Sequence, residues 1–262
     1  MKKGVIIFSI LALLIVAGLF YWKPLSKNGE INITPEQQEK ITNPEQKDAE
    51  LQENEIATTT PFIIKGEISR GNPNKKQIIF TFDGGAGNSS ADRILETAKK
   101  HNLKLTFFVT GKFAEKYPDT IKKIAASGHE IFNHTYSHPH LTQISDEQIR
   151  EEFTKAEDII SNLTRTTTKP FFRAPYGERN QHILEVAQSL GYQSVFWTTD
   201  ALDWMPDKTA EQVKQRIYSN LKNGAIILMH IGDNITGEIL DEVFTKLEND
   251  GYKIVGLREG LR

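Results

Sequence analysis

The chain has 262 residues, 32 basic against 34 acidic side chains, a net charge of −2 and no cysteine. The balanced charge excludes the basic surplus that nucleic-acid binding relies on. The missing thiols exclude a disulfide framework, a cysteine-ligated metal and a cysteine nucleophile.

Met1-Lys2-Lys3 precede an uncharged run, Gly4–Trp22. As a helix, these 19 residues would span about 28 Å, close to the roughly 30 Å of a bilayer core. Lys2 and Lys3 put the N-terminus on the cytoplasmic side. Phe20, Tyr21 and Trp22 close the run in the manner of an aromatic belt. A cleaved signal peptide is the competing reading, but Ala17-Gly18-Leu19 makes a poor cleavage site. Residues 1–22 are therefore expected to be a single-pass anchor in the cell membrane, with the rest extracellular; cleavage would make the protein secreted.

Residues 23–70 are expected to be a polar tether. Five of the ten prolines fall between positions 23 and 73, and ten of the 21 residues from Pro35 to Glu55 are Glu or Gln. Such a stretch buries too little apolar surface to offset its ordering entropy. Phe62-Ile63-Ile64 is a candidate strand joining the domain that follows.

From residue 71 to 262 apolar runs alternate with segments of helical period. The expected strands are Ile78–Phe82, Leu105–Val109, Glu130–Phe132, Phe171–Arg173, Ser194–Trp197, Ala225–Met229 and Lys253–Val255. Ser145-x-x-Gln148 and Thr209-x-x-Gln212 read as capping boxes. Gly128, Gly191, Gly224 and Gly251 read as helix stops. The alternation predicts a parallel sheet with crossover helices, either a small barrel or an open doubly wound sheet. Both carry ligands at the C-terminal strand ends, and the unusual polar residues cluster there: Asp83, His134, His138, Arg173, Asp200, Asp203 and His230.

His134-Thr-Tyr-Ser-His138 places two imidazoles at i and i+4. On one side of a helical turn they could share a cation. Asp83 ends a strand on two glycines, and Arg173 could hold such a carboxylate by charge-assisted hydrogen bonds. Each motif alone has a bland counterpart: a polar loop, an Asp-Gly turn, a surface arginine, an acidic loop, a core histidine.

Taken together and in this order, Thr81-Phe-Asp83, His134-Thr-Tyr-Ser-His138, Arg173-Ala-Pro-Tyr176, Asp200-Ala-Leu-Asp203-Trp204 and Leu228-Met-His230 resemble the polysaccharide deacetylases with the NodB-like domain. The resemblance spans about residues 75–258. It implies a distorted (β/α) barrel of about seven parallel strands, a divalent metal, commonly Zn²⁺, and hydrolysis of N-acetyl groups on a cell-wall or surface polysaccharide. By the same resemblance His134 and His138 are metal ligands, Asp83 is the general base and Arg173 its partner. His230 is the general acid with Asp203 orienting it, Tyr176 supplies an oxyanion N–H, and Trp204 and Leu228 wall the acetyl pocket. The family's third metal ligand falls where this chain has Gly84. Asp83, Asn88, Asp92 and Asp233 are the candidates to replace it. Two other readings remain: a non-catalytic glycan-binding relative, and a glycosidase pairing Asp83 with Asp200 or Asp203. The expected partners are an N-acetylated glycan and the membrane, with no nucleic acid and a monomeric state.

Overall fold

The computed structural model describes residues 66–262. The expected anchor, most of the tether and the Phe62-Ile63-Ile64 strand lie outside the described residues. Among the described residues no helix is long and apolar enough to cross a membrane.

Strands and helices alternate from β1 (Gln77–Gly84) through α1 (Ala91–Lys100), β2 (Thr106–Val109), α2 (Gly111–Lys116), α3 (Pro118–Ala126) and β3 (Glu130–Asn133). They continue with α4 (Asp146–Thr164), β4 (Phe171–Phe172), α5 (Gln181–Ser189), β5 (Gln193–Ser194), β6 (Thr199–Asp200), α6 (Ala210–Ser219), β7 (Ala225–His230), α7 (Asn234–Asn249), β8 (Lys253–Val255) and α8 (Leu257–Gly260). Local chemistry sets many of these boundaries. Both capping boxes form, Ser145 with Gln148 on α4 and Thr209 with Gln212 on α6. Gly128, Gly191, Gly224 and Gly251 all take positive φ, between 72° and 84°, the left-handed turn that a glycine adopts without steric cost.

Every strand pairing is parallel. The sheet order is β5-β4-β3-β2-β1-β7-β6, with β8 added to β1. Strands β2 and β8 share one edge of β1, pairing with Thr81–Gly84 and Gln77–Ile79 respectively, while β7 takes the other edge. The two ends of the order, β5 and β6, are consecutive in the chain. The sheet therefore curls until one stretch, 193–200, meets β4 at its start and β7 at its finish. The sequence predicts a single strand, Ser194–Trp197, there; the chain instead changes partner in mid-run. Ile68 fills the seam, pairing in parallel with Val195. Its N–H donates to Ser194 O and its carbonyl accepts from Phe196 N. The folded unit thus takes in residues ahead of the boundary expected at 70. Glu67, for instance, has a fully buried carboxylate bound by Arg179 at 2.8 and 2.7 Å.

Pleating divides the apolar side chains into two layers. Ile79, Phe108, Phe132, Phe171, Val195 and Ile226 form one cluster inside the curl. Ile78, Phe80, Phe82, Phe107 and Ile227 pack outward with Ile94 of α1 and Phe244 of α7. Because side chains alternate along a strand, β1 turns Ile79 inward and Phe80 and Phe82 outward. The same period carries Asp83 inward and Gly84 outward.

Candidate active site

Asp83 lies within β1, one residue before its end, rather than after the strand. It is the register partner of His230, the last residue of β7. Asp200, at the end of β6, is the register partner of Leu228. Arg173 follows β4 and His134 follows β3. The C-terminal strand ends thus bring the expected residues together. A cavity of about 660 Å³ is lined by Asp83, His134, His138, Tyr176, Trp197, Asp200, Trp204, Leu228, His230 and Asp233, among others.

Asp83 and Arg173 are both buried. Arg173 Nη1 donates to Asp83 Oδ1 at 2.7 Å, and its Nε and Nη2 donate to the carbonyls of Val195 and Phe196 at 3.3 and 3.4 Å. Burial alone would raise the Asp83 carboxyl, but the charges of Arg173 and His230 and the Arg173 hydrogen bond outweigh it. Asp83 is held below the usual carboxylate range and stays ionised.

His134 is buried, and its Nδ1 lies 2.9 Å from Arg173 O. A carbonyl only accepts, so Nδ1 carries the proton and Nε2 keeps its lone pair. That Nε2 lies 3.5 Å from Asp83 Oδ2. The His138 ring stands edge-on to His134, with centroids 4.8 Å apart. Burial pushes both imidazoles down, His138 to about 4, so both are neutral at neutral pH. The pair does not sit on a helical turn, as its spacing suggests. It is joined by a loop in which Thr135 (φ 66°) and His138 (φ 63°) are left-handed. Glu152 on α4 ties that loop down, accepting from the N–H groups of Tyr136 and Ser137 at 2.9 and 2.7 Å and from the Ser137 hydroxyl at 2.7 Å. Asn133 Oδ1 accepts from Thr135 N at 2.8 Å. Sequence reasoning passes over Glu152, because one more glutamate on a charged helix carries no local signal.

Opposite this pair stands His230. Its Nδ1 bonds Asp203 Oδ1 at 3.0 Å, and its backbone N–H donates to Asp203 Oδ2 at 2.7 Å. Burial disfavours the imidazolium. The Asp203 hydrogen bond and the charges of Asp203, Asp83 and Asp200 prevail, raising His230 from 6.5 to about 9. At neutral pH it is a cation whose Nδ1–H is held by Asp203, leaving Nε2–H as its second donor. Asp203, His230 and Asp233 bring their side-chain ligand atoms within 4.8 Å of one another. A metal needs neutral imidazole, so this trio is better described as an imidazolium among carboxylates.

Tyr176 (60% exposed) and Trp204 (49% exposed) are the exposed large hydrophobic residues among those described, and both line the cavity. Tyr176 is left-handed at φ 58° and stacks on His140 at 4.2 Å. Asp200 accepts from the Trp204 indole at 3.3 Å. Leu228 is buried in the cavity wall. Of the four candidates to replace a ligand at Gly84, Asn88 bonds Thr120 and Asp92 pairs with Lys123 outside the cavity. Only Asp83 and Asp233 line it. A Cβ on Gly84 would meet Ile231 Cδ1 at 2.9 Å, Val109 Cγ1 at 3.1 Å and Phe113 Cδ1 at 3.4 Å. The outward pleat has filled that position with apolar packing.

A family model described as polysaccharide deacetylase matches residues 70–195. A peptidoglycan-N-acetylglucosamine deacetylase of Bacillus cereus is 33% identical over 82% of this chain and 80% of its own length. The peptidoglycan-N-acetylmuramic acid deacetylase PdaA of Bacillus subtilis is 34% identical over 70% of each chain. Among solved structures, BA3943 from Bacillus anthracis, described as a CE4 family pseudoenzyme, superposes with a TM-score of 0.72 at 32% identity, covering 76% of this chain and 70% of that one. With relatives above 30% identity over most of its length and the motifs assembled at its strand ends, the chain belongs to the polysaccharide deacetylase family of hydrolases.

Proposed function

We propose that the protein removes N-acetyl groups from N-acetylated sugars of a cell-wall polysaccharide, peptidoglycan being favoured, and that it works from the outer face of the cell membrane on its N-terminal anchor and tether. One observation carries this reading: an ionised carboxylate, Asp83, and a protonated imidazole, His230, stand on adjacent strands in one cavity with two neutral imidazoles. Hydrolysis of an amide needs a base for the attacking water and an acid for the departing nitrogen. Asp83 Oδ2 is the base, because Arg173 occupies Oδ1. His230 Nε2–H is the acid, with Asp203 fixing the ring and stabilising its charge. Tyr176 and Trp204 give the sugar apolar faces, and Leu228 bounds the acetyl group. A glycosidase would leave the His pair idle.

His134 and His138 fit a divalent cation. Both are neutral, and His134 is oriented by its second nitrogen, as metal-ligating histidines commonly are. The cation would polarise the acetamide carbonyl and the attacking water, and zinc is the expected ion. Gly84 supplies no ligand, and the base, Asp83 Oδ2, lies 3.5 Å from His134 Nε2. Glu152 holds the loop that carries both imidazoles, so Glu152→Ala is expected to weaken zinc binding by roughly 10–100-fold, measured by calorimetry.

The pseudoenzyme relative favours a second reading, a glycan-binding protein without turnover. Acetate release from defined N-acetylated glycans, with and without chelator, separates the two. Release that chelator stops and zinc restores is the expected result. Glycan binding with no acetate under any metal would establish the second reading.

A further inference from the structure

Asp233 sits at the N-cap of α7, where an aspartate ordinarily accepts from the first turn of its helix, yet its side chain makes no such bond. Its carboxylate lines the cavity instead, with its oxygen within 4.8 Å of the ligand atoms of His230 and Asp203. Burial and the Asp203 charge hold the Asp233 carboxyl above its usual value, which marks it as a group short of partners. Asp200 lines the same side of the cavity, its oxygens occupied by Leu202 N and the Trp204 indole. His230 is therefore one imidazolium surrounded by four carboxylates: Asp83, Asp200, Asp203 and Asp233. Among the described residues that line the cavity there is no lysine or arginine.

Resting on the deacetylase reading above, we propose that Asp233 selects the sugar: the cavity takes an N-acetylhexosamine with a free hydroxyl beside its acetamide, as in N-acetylglucosamine, and rejects one with an anionic substituent there, as in N-acetylmuramic acid. If His230 delivers the proton to the departing nitrogen, Asp233 stands beside that nitrogen. In a 2-acetamido sugar the neighbouring ring carbon bears either a hydroxyl or, in the muramic form, a lactyl ether that ends in a carboxylate. A hydroxyl can donate to Asp233, giving the carboxylate the hydrogen bond that its helix does not. A lactyl carboxylate would meet like charge, and His230, the cation on that wall, is already paired with Asp203. Leaving a desolvated charge unpaired is the strong form of discrimination. The two curated relatives act on the two different sugars by name, so the family alone does not choose between them.

The test uses the full-length protein on glycan strands of alternating N-acetylglucosamine and N-acetylmuramic acid, freed of stem peptides. Mass spectrometry of the separated sugars reads which one has lost acetate, and calorimetry reads the binding of each free N-acetyl sugar. The expected result is loss from N-acetylglucosamine, tighter binding of the neutral sugar, and a preference reduced roughly tenfold in Asp233→Asn, as removal of one nearby like charge implies. Asparagine is isosteric and a good N-cap, so the variant should fold. Equal use of both sugars, preference for the muramic form, or an unchanged ratio in Asp233→Asn would overturn the proposal while leaving the deacetylase reading intact. If neither sugar is bound and no acetate is released, the deacetylase reading fails and the preference falls with it.

Discussion

Asp83→Ala is expected to cost the protein both activity and stability. Acetate release should fall by roughly 10²-fold or more, since the base for the attacking water is gone. Stability should fall by about 3–5 kcal/mol, because Arg173 is left as a buried cation without its counter-ion. Asp83→Asn separates the two effects. Its amide oxygen can still accept from Arg173 Nη1, so the stability loss should shrink while turnover stays low. Denaturant unfolding and acetate release on the same two variants check this. Near-normal turnover in Asp83→Asn would remove Asp83 from the role of base.

The second large effect concerns pH. His230 is raised from 6.5 to about 9 in the fold, so its protonated form is the one the structure favours. The stability it contributes is complete below about pH 6.5 and disappears as pH rises through about 9. If it is the acid, the alkaline limb of the rate profile follows the same loss of a proton. Asp203→Asn removes the carboxylate that does most to raise it. The alkaline limb should then move down by about one unit or more, and turnover at about pH 8 should fall with it. An alkaline limb that stays in place in Asp203→Asn would show that another group sets it. Such limbs belong to coupled sites, so the shift between variants is the quantity to read.

The fold was legible in the sequence wherever short-range chemistry decides it. Ser145 with Gln148 and Thr209 with Gln212 announce two helix starts, and four glycines announce turns into strands, because each signal works within a few residues. Partner choice across the barrel is not local. The run 193–200 reads as one strand, yet curling of the sheet makes it leave β4 and join β7, with Ile68 completing the seam. The assembly of Asp83, His134, His138, Arg173, Asp203 and His230 was legible through the order of the motifs. How the His pair is held was not, since Thr135, a β-branched residue, is not a type that advertises left-handed backbone. Glu152 and Asp233 gain meaning only from what the fold sets beside them.

Arg173 has a consequence beyond chemistry. Its guanidinium bonds the carbonyls of Val195 and Phe196, at the point where that stretch passes between partners. The residue that keeps Asp83 charged is therefore also a rivet in the barrel wall. A descendant that abandoned catalysis could exchange His138 or Trp204 for many side chains and remain folded. Replacing Arg173 would loosen the wall itself. Decay of this enzyme into a silent relative would run unevenly: the cavity rim is free to drift early, whereas the arginine persists long after there is no reaction left for it to serve.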